Sequence, residues 1–332
     1  MKRKAFTLVE LLVVIAIIAM LLAILMPALN RVKQLAYRVV CGAHLRGIGQ
    51  GVIVYASDFE DEYPVTGGQQ GYWSNPKNMT WKWKVDGPDP CENNTKNDVT
   101  VSSCLYLLVK YSEVPPDEFV CKGDDAKKLD LSKYLTTGSA TARDCWDFGP
   151  PWDSNDSTGS WMYVSYAYHM PFRGGTSAKS YAASQMSPVT NAVIADKNPW
   201  LDPRSDTSTT AKVTNLNSKF TTYKNASPEF SKTEAQMGNS HNHAQEGQNV
   251  MFNDTHVRFE QGANCASEND NIYTCWGTAT STAGVTDIIR EAGAVNPQPD
   301  SLDDSTFFPY NDSDSVLIND GEPTFMDWGT TP

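Results

Sequence analysis

Positive charge is scarce beyond residue 57: the last 275 of the 332 residues carry 20 Lys/Arg against 38 Asp/Glu. A surface of that sign repels phosphate backbones, which argues against nucleic acid as a partner. The chain has no Cys-x-x-Cys pair, no EF-hand spacing, no nucleophile elbow and no internal repeat. Those absences argue against a paired-cysteine metal site, a helix-loop-helix calcium site, a Ser-His-Asp hydrolase and a solenoid. Cysteine is missing from the first 40 positions, and long aliphatic runs are few after position 30. What is present is 40% hydrophobic and 11% aromatic residues, enough for a large core, broken by 22 Gly and 19 Pro. Composition therefore predicts one loop-rich acidic head on a separate stalk, with little disorder.

The stalk begins at the first residue. Lys2, Arg3 and Lys4 precede an almost unbroken apolar run, and from Phe6 to Leu29 only Thr7 and Glu10 interrupt it. A secretory signal peptide is the plain alternative. The run is too long for one, is followed by no small-x-small cleavage site, and continues in helical period to Tyr55. About 20 apolar residues span a bilayer, and the three leading cations keep the N-terminus cytoplasmic. The bulk of the chain is thereby delivered to the other side. Glu10 is an acid inside that span, where a charge costs a few kcal/mol unless it finds a partner.

Pro27 lacks an N–H donor and is expected to loosen or kink the helix. Beyond it Cys41, Leu45, Ile48, Val52, Tyr55 and Phe59 recur at spacings of 3 and 4, which is one helical face. Gly42, Gly47, Gly49 and Gly51 either permit close packing there or end the helix early. Further on, Val101–Tyr111 reads as a short helix, and 161–170, 191–196 and 250–259 as strands.

The string Lys4-Ala5-Phe6-Thr7-Leu8-Val9-Glu10-Leu11-Leu12 resembles the class III leader of type IV pilins and type II secretion pseudopilins. The resemblance implies cleavage between Ala5 and Phe6 by a prepilin peptidase, methylation of the new Phe6 amine, and Glu10 as fifth residue of the mature chain. Gly is usual before the cut, and Ala5 departs from it. The positive amine of one subunit and the Glu10 carboxylate of its neighbour can neutralise each other in a filament core, where both are costly alone. The implied partners are identical subunits in a helical filament, the peptidase and methylase, an inner-membrane assembly platform, and the membrane itself. The implied location is the inner membrane, then a periplasmic or extracellular filament.

A second resemblance lies at Cys41 to Gln50 with Tyr55-Ala56-Ser57-Asp58, similar to large pseudopilin-like proteins, and at His243 to Phe259. The latter is similar to the His-x9-Asp-Gly box of the prepilin-type processing-associated family, with ten residues between His243 and Asp254 and Thr255 in place of Gly. Both resemblances imply a pilin-like α+β fold, in which a long N-terminal helix packs on a mostly antiparallel β-sheet head with long loops. The expected organisation is a leader at 1–5, a transmembrane and filament-core helix at 6–29, an amphipathic stalk at 30–57 and the head at 58–332.

Within the box, Gln248–Phe252 and His256–Phe259 predict a β-hairpin whose turn centres on Asn253 and Asp254, since both tolerate positive φ and Thr255 does not. Structural hydrogen bonding that fixes this hairpin is the favoured reading. The sharper one is a metal or acid–base cluster of His241, His243, Asp254 and His256, with Asp196, the two nearer histidines sharing one face of a strand.

All seven cysteines follow the apolar span and so reach an oxidising compartment. Cys41, on the helix face that meets the head, is paired first with Cys121, and Cys265 second with Cys275. No cofactor is required. Calcium is the one candidate, for the oxygen-rich clusters 86–98, 153–160 and 300–314, because pseudopilins commonly bind it in a head loop; solvated loops are the alternative. Nine tryptophans, among them Trp73, Trp81, Trp83, Trp146, Trp152 and Trp161, either fill the core or stack on sugars. Together these features predict a non-enzymatic structural subunit of a type IV pilus-like or type II secretion filament. Its rival is a membrane-tethered glycan- or calcium-binding module that does not polymerise.

Overall fold

The structure, a computed structural model, describes residues 8–66, 71–73, 97–130, 141–149, 159–171, 182–199, 238–267, 270–280, 286–294 and 312–320. In chain order the elements are α1 (Leu8–Asp58), β1 (Gly71–Trp73), β2 (Asn97–Val99), α2 (Val101–Tyr111), β3 (Tyr166–His169), β4 (Ala192–Asp196), β5 (Gln248–Phe252), β6 (Val257–Glu260), β7 (Thr274–Thr280), β8 (Thr286–Ala294) and β9 (Leu317–Ile318). Side chains are described for all of these except β1, β2, β7 and β8. Ala5, Phe6, Trp81, Trp83, Trp152 and most of the three oxygen-rich clusters lie outside the described residues.

One helix of 51 residues carries both the apolar span and the stalk. At 1.5 Å per residue it is about 75 Å long. It runs without interruption through Pro27 and through the four glycines. Close packing, not helix termination, is what those glycines serve: a Cβ on Gly51 would lie 2.3 Å from Val114 Cγ2, and one on Gly42 would lie 3.2 Å from Asn249 Oδ1. The stalk thereby reaches both β5 and the loop after α2.

The sheet is five-stranded and antiparallel throughout, in the order β6-β5-β4-β3-β9. This is the α+β pilin-like architecture, a long N-terminal helix laid on an antiparallel sheet. β7 and β8 form a separate antiparallel hairpin, and β1 and β2 pair in parallel. Strand β3 is shorter than the sequence predicts. Residues Ser160–Tyr163 form a 3-10 turn instead, and Ser165 N–H donates to Phe119 O, away from the sheet.

Strands β3, β4 and β5 are buried on both faces, so they lack a polar face. Toward the helices, Leu45, Ile48 and Val52 of α1 and Leu105 and Leu108 of α2 meet Tyr166, Tyr168, Ile194 and Met251. On the other face Ala167, Ala195, Val250 and Phe252 pack with Ile272, Tyr273 and Leu317. A register shift between Ala192 and Ile194 explains why the adjacent Val193 and Ile194 both join the helix-side core. Trp146 is buried in that core beneath the Lys110 ammonium, 3.5 Å from its ring centroid, and so fills space as the core reading expects.

The start of α2 is held by residues far away in sequence. Thr100 Oγ1 accepts from Ser103 N–H, while Asp320 accepts from Val101 N–H at 3.0 Å and Ser102 N–H at 2.7 Å. A carboxylate there satisfies orphan donors and complements the helix dipole. Asp147 accepts from Thr100 Oγ1 at 2.6 Å and from its neighbour Phe148 N–H. Burial, then the charge of Asp320, pushes the Asp147 carboxyl up to about 7. A carboxyl whose pKa is raised by folding stabilises the fold below its unfolded value, and that contribution is lost as pH rises through about 7. Asp147→Asn mimics the neutral form at every pH. Urea unfolding across a pH series should therefore show wild type losing ground to this variant as pH rises through that range; parallel profiles would reject the assignment.

Candidate functional site

Two regions carry the chemistry-bearing residues. The first is the outer part of α1. Leu8 is 78% exposed, Met20 69% and Leu29 63%, and the most apolar 18-residue window of the helix has no part buried against the head. Only from Cys41 onward does α1 enter the core. A mean hydropathy of 3.2 over that window is enough to cross a membrane by length and composition. Glu10 lies in the first turn of this exposed segment.

The second region is the junction of stalk and head. Cys41 and Cys121 form a disulfide there, with Cα atoms 5.3 Å apart and both residues fully buried. Cys121 opens a tight loop on which Gly123 is required: a Cβ at that position would lie 2.0 Å from the Asn242 carbonyl oxygen. His241–His243 is a 3-10 turn capped by Ser240, not the strand the sequence predicts. The two histidines consequently part. His241 Nε2 lies 3.2 Å from Gln245 Nε2, whereas His243 turns inward with Nε2 at 3.7 Å from Cys121 Sγ and 3.3 Å from Asp196 Oδ2.

Asp196, at the end of β4, is fully buried and well supplied with donors. Its Oδ2 accepts from Asn249 N–H at 2.7 Å and its Oδ1 from Asn242 Nδ2 at 3.2 Å. Asn249 Nδ2 also reaches His243 Nε2 at 3.1 Å. The next residue, Lys197, pairs with Asp124 at 2.9 Å, and both side chains are almost completely buried. Burial, followed by the charges of Asp196, Asp124 and Glu118, drives the Tyr166 hydroxyl well above its ordinary value. Outside this centre Arg38 of the stalk pairs with Glu246 and lies 4.4 Å over the Phe259 ring, which pins α1 to the hairpin.

The predicted box is thus divided. Asp254 and His256 pair with each other at the half-exposed hairpin tip, and His256 stacks on Phe252 with centroids 4.5 Å apart. Among the described residues they do not converge with His241 and His243 on a metal position. Asn253 is structural: it accepts from Tyr63 Oη at 2.7 Å and donates to Ser187 O at 2.7 Å. Positive φ falls on Thr255, at 67°, and not on Asn253 or Asp254. The reason is the turn type. Thr255 N–H donates to Phe252 O and Phe252 N–H to His256 O, the pattern of a type I turn closed by one left-handed residue. Thr occupies a conformation that suits Gly and carries about 1 kcal/mol of strain. Thr255→Gly is expected to raise the head's unfolding free energy by up to that amount, read from denaturant midpoints.

The second expected disulfide is corrected. Cys265 is a free thiol packed against the far-face core, and Cys275 sits in β7 opposite Gly293 of β8. Cys104 and Cys145 are buried in the helix-side core. Two features went unread in the sequence, the Lys197–Asp124 pair and the Asp147–Asp320 pair at the start of α2. Lys197 adjoins the Asp196 already singled out; the partners are separated by about seventy residues or more and carry no local signal.

Residues 1–26 match the family model described as the prokaryotic N-terminal methylation motif. The chain therefore carries a class III prepilin leader, and its apolar N-terminal helix is that of a pilin-like or pseudopilin-like precursor. The motif makes it a prepilin-peptidase type of substrate with a membrane-anchoring helix. No curated protein and no solved structure matches the chain.

Proposed function

We propose that this chain is a structural subunit of a type IV pilus-like or type II secretion filament, cut between Ala5 and Phe6, methylated on Phe6 and assembled through α1. The observation that carries the reading is the helix itself: directly after a methylation motif, its apolar turns stand clear of the head with no part of their surface covered. Such a surface is at home in lipid before assembly and against other copies of the same helix afterwards. Glu10 sets the register by meeting the neighbouring subunit's Phe6 amine, and Pro27 lies within the same packed segment. The head's contribution is structural, and catalysis is not required of it.

The test is electron microscopy of sheared surface material with mass spectrometry of the subunit's N-terminal peptide. Filaments built from chains beginning at methylated Phe6 are expected. Glu10→Ala should leave the protein in the membrane fraction and reduce filaments at least tenfold. Wild-type chain that stays in the membrane and still begins at Met1 would overturn the proposal, and normal filaments from the Glu10 variant would overturn the register argument.

A further inference from the structure

Cys41, Cys121 and His243 place two sulfurs and an imidazole nitrogen within 4.8 Å of one another in a fully enclosed position. A disulfide needs no histidine beside it, yet Nε2 of His243 faces inward, 3.7 Å from Cys121 Sγ beside its shorter contacts to Asn249 Nδ2 and Asp196 Oδ2. Tetrahedral zinc, with bonds of about 2.3 Å to sulfur and about 2.0 Å to nitrogen, sets adjacent sulfur and nitrogen ligands about 3.5 Å apart. The observed separation is 3.7 Å. Asp196 Oδ2 lies 3.3 Å from the same nitrogen, beside the three ligand atoms and not among them. That carboxylate is held in place by Asn249 N–H and Asn242 Nδ2.

We infer that the dithiol form of this chain binds one zinc-class divalent cation between Cys41 Sγ, Cys121 Sγ and His243 Nε2, and that forming the Cys41–Cys121 disulfide releases it. The two sulfurs move from bonding distance to about 3.8 Å apart, the sulfur–sulfur edge of the same tetrahedron, by rotation of their own side chains. In the release step each zinc-bound thiolate gives up one electron to a disulfide of a thiol-oxidase partner. The Cys41–Cys121 bond forms and the partner's S–S bond breaks. Its two sulfurs take up two protons and leave as thiols, and the cation departs. Cation and disulfide thus serve the same joint in succession, each tying the stalk to the head, and the inference does not depend on the filament reading.

The experiment is zinc titration of the full chain in detergent against a chromophoric chelator, in the oxidised state and after metal-free anaerobic phosphine reduction. One zinc per reduced chain and none at this site in the oxidised chain are expected. Reduced His243→Ala and reduced Cys41→Ser should each bind at least about tenfold more weakly. Reoxidation of His243→Ala to the Cys41–Cys121 disulfide, read by peptide mapping, shows that the variant still folds. A reduced chain that takes up no zinc overturns the inference. So does zinc held equally well by either variant, which would assign the metal to the other thiols or to an unfolded chain.

Discussion

Cys121→Ser is expected to destabilise the oxidised head by about 4.5 kcal/mol, the loop-entropy value for a bridge spanning roughly 80 residues. The effect is large because the bridge joins the helix that leaves the head to the loop that receives it. Without the bridge, α1 is retained by the packing of Leu45, Ile48 and Val52 and by the Arg38–Glu246 pair. Exposed or half-exposed ion pairs contribute little, so the pair does not make up the difference. Urea unfolding of metal-free protein in detergent measures it, with Cys41→Ser as the matched variant. Losses below about 1 kcal/mol in both would show that the bridge restrains little that packing does not already restrain.

Lys197→Met should cost a comparable amount, about 3–5 kcal/mol, for a different reason. Asp124 and Lys197 leave only 1% and 6% of their side chains exposed, so removing the cation leaves a buried carboxylate without the charge that balanced it. The attraction within such a pair does little more than offset the desolvation of its two members. Asp124→Leu combined with Lys197→Met is therefore expected to recover most of the stability that the single variant loses. A double variant as unstable as the single would mean that the pair is net favourable and that the uncompensated charge is not the cause. These side chains sit one residue beyond Asp196 and three beyond Cys121, so circular dichroism should accompany the measurement to report whether the joint itself has opened.

Much of the stalk was legible because its signals are local. An apolar run, three leading cations and a repeating 3-and-4 spacing each depend only on neighbours along a helix, and α1 follows them from Leu8 to Asp58. The same holds for α2, where the predicted range and the observed one coincide. The hairpin was legible as two strands with a turn centred on Asn253 and Asp254, but the residue that takes positive φ was not. The positive φ went to Thr255 because the register of β5 with β6 fixes where the fourth turn residue falls, and residue preference yielded to that register.

The junction shows where local reading ends. The sequence by itself determined that the chain is anchored by an apolar helix, carries a methylation leader and presents an acidic head, since each is a property of a contiguous segment. It paired Cys41 with Cys121, as the structure does, and supplied His243 and Asp196 as chemically suitable groups without placing them beside that bridge. Only the tertiary structure decided that the 3-10 turn at 241–243 would send His243 inward toward the cysteines and leave Asp254 and His256 together at the hairpin tip. The physical reason is that burial selects partners by distance in space. A carboxylate or imidazole taken out of water must find donors, acceptors or opposite charge within about 3 Å, and which groups those are is settled by how the helix, the sheet and the loops pack.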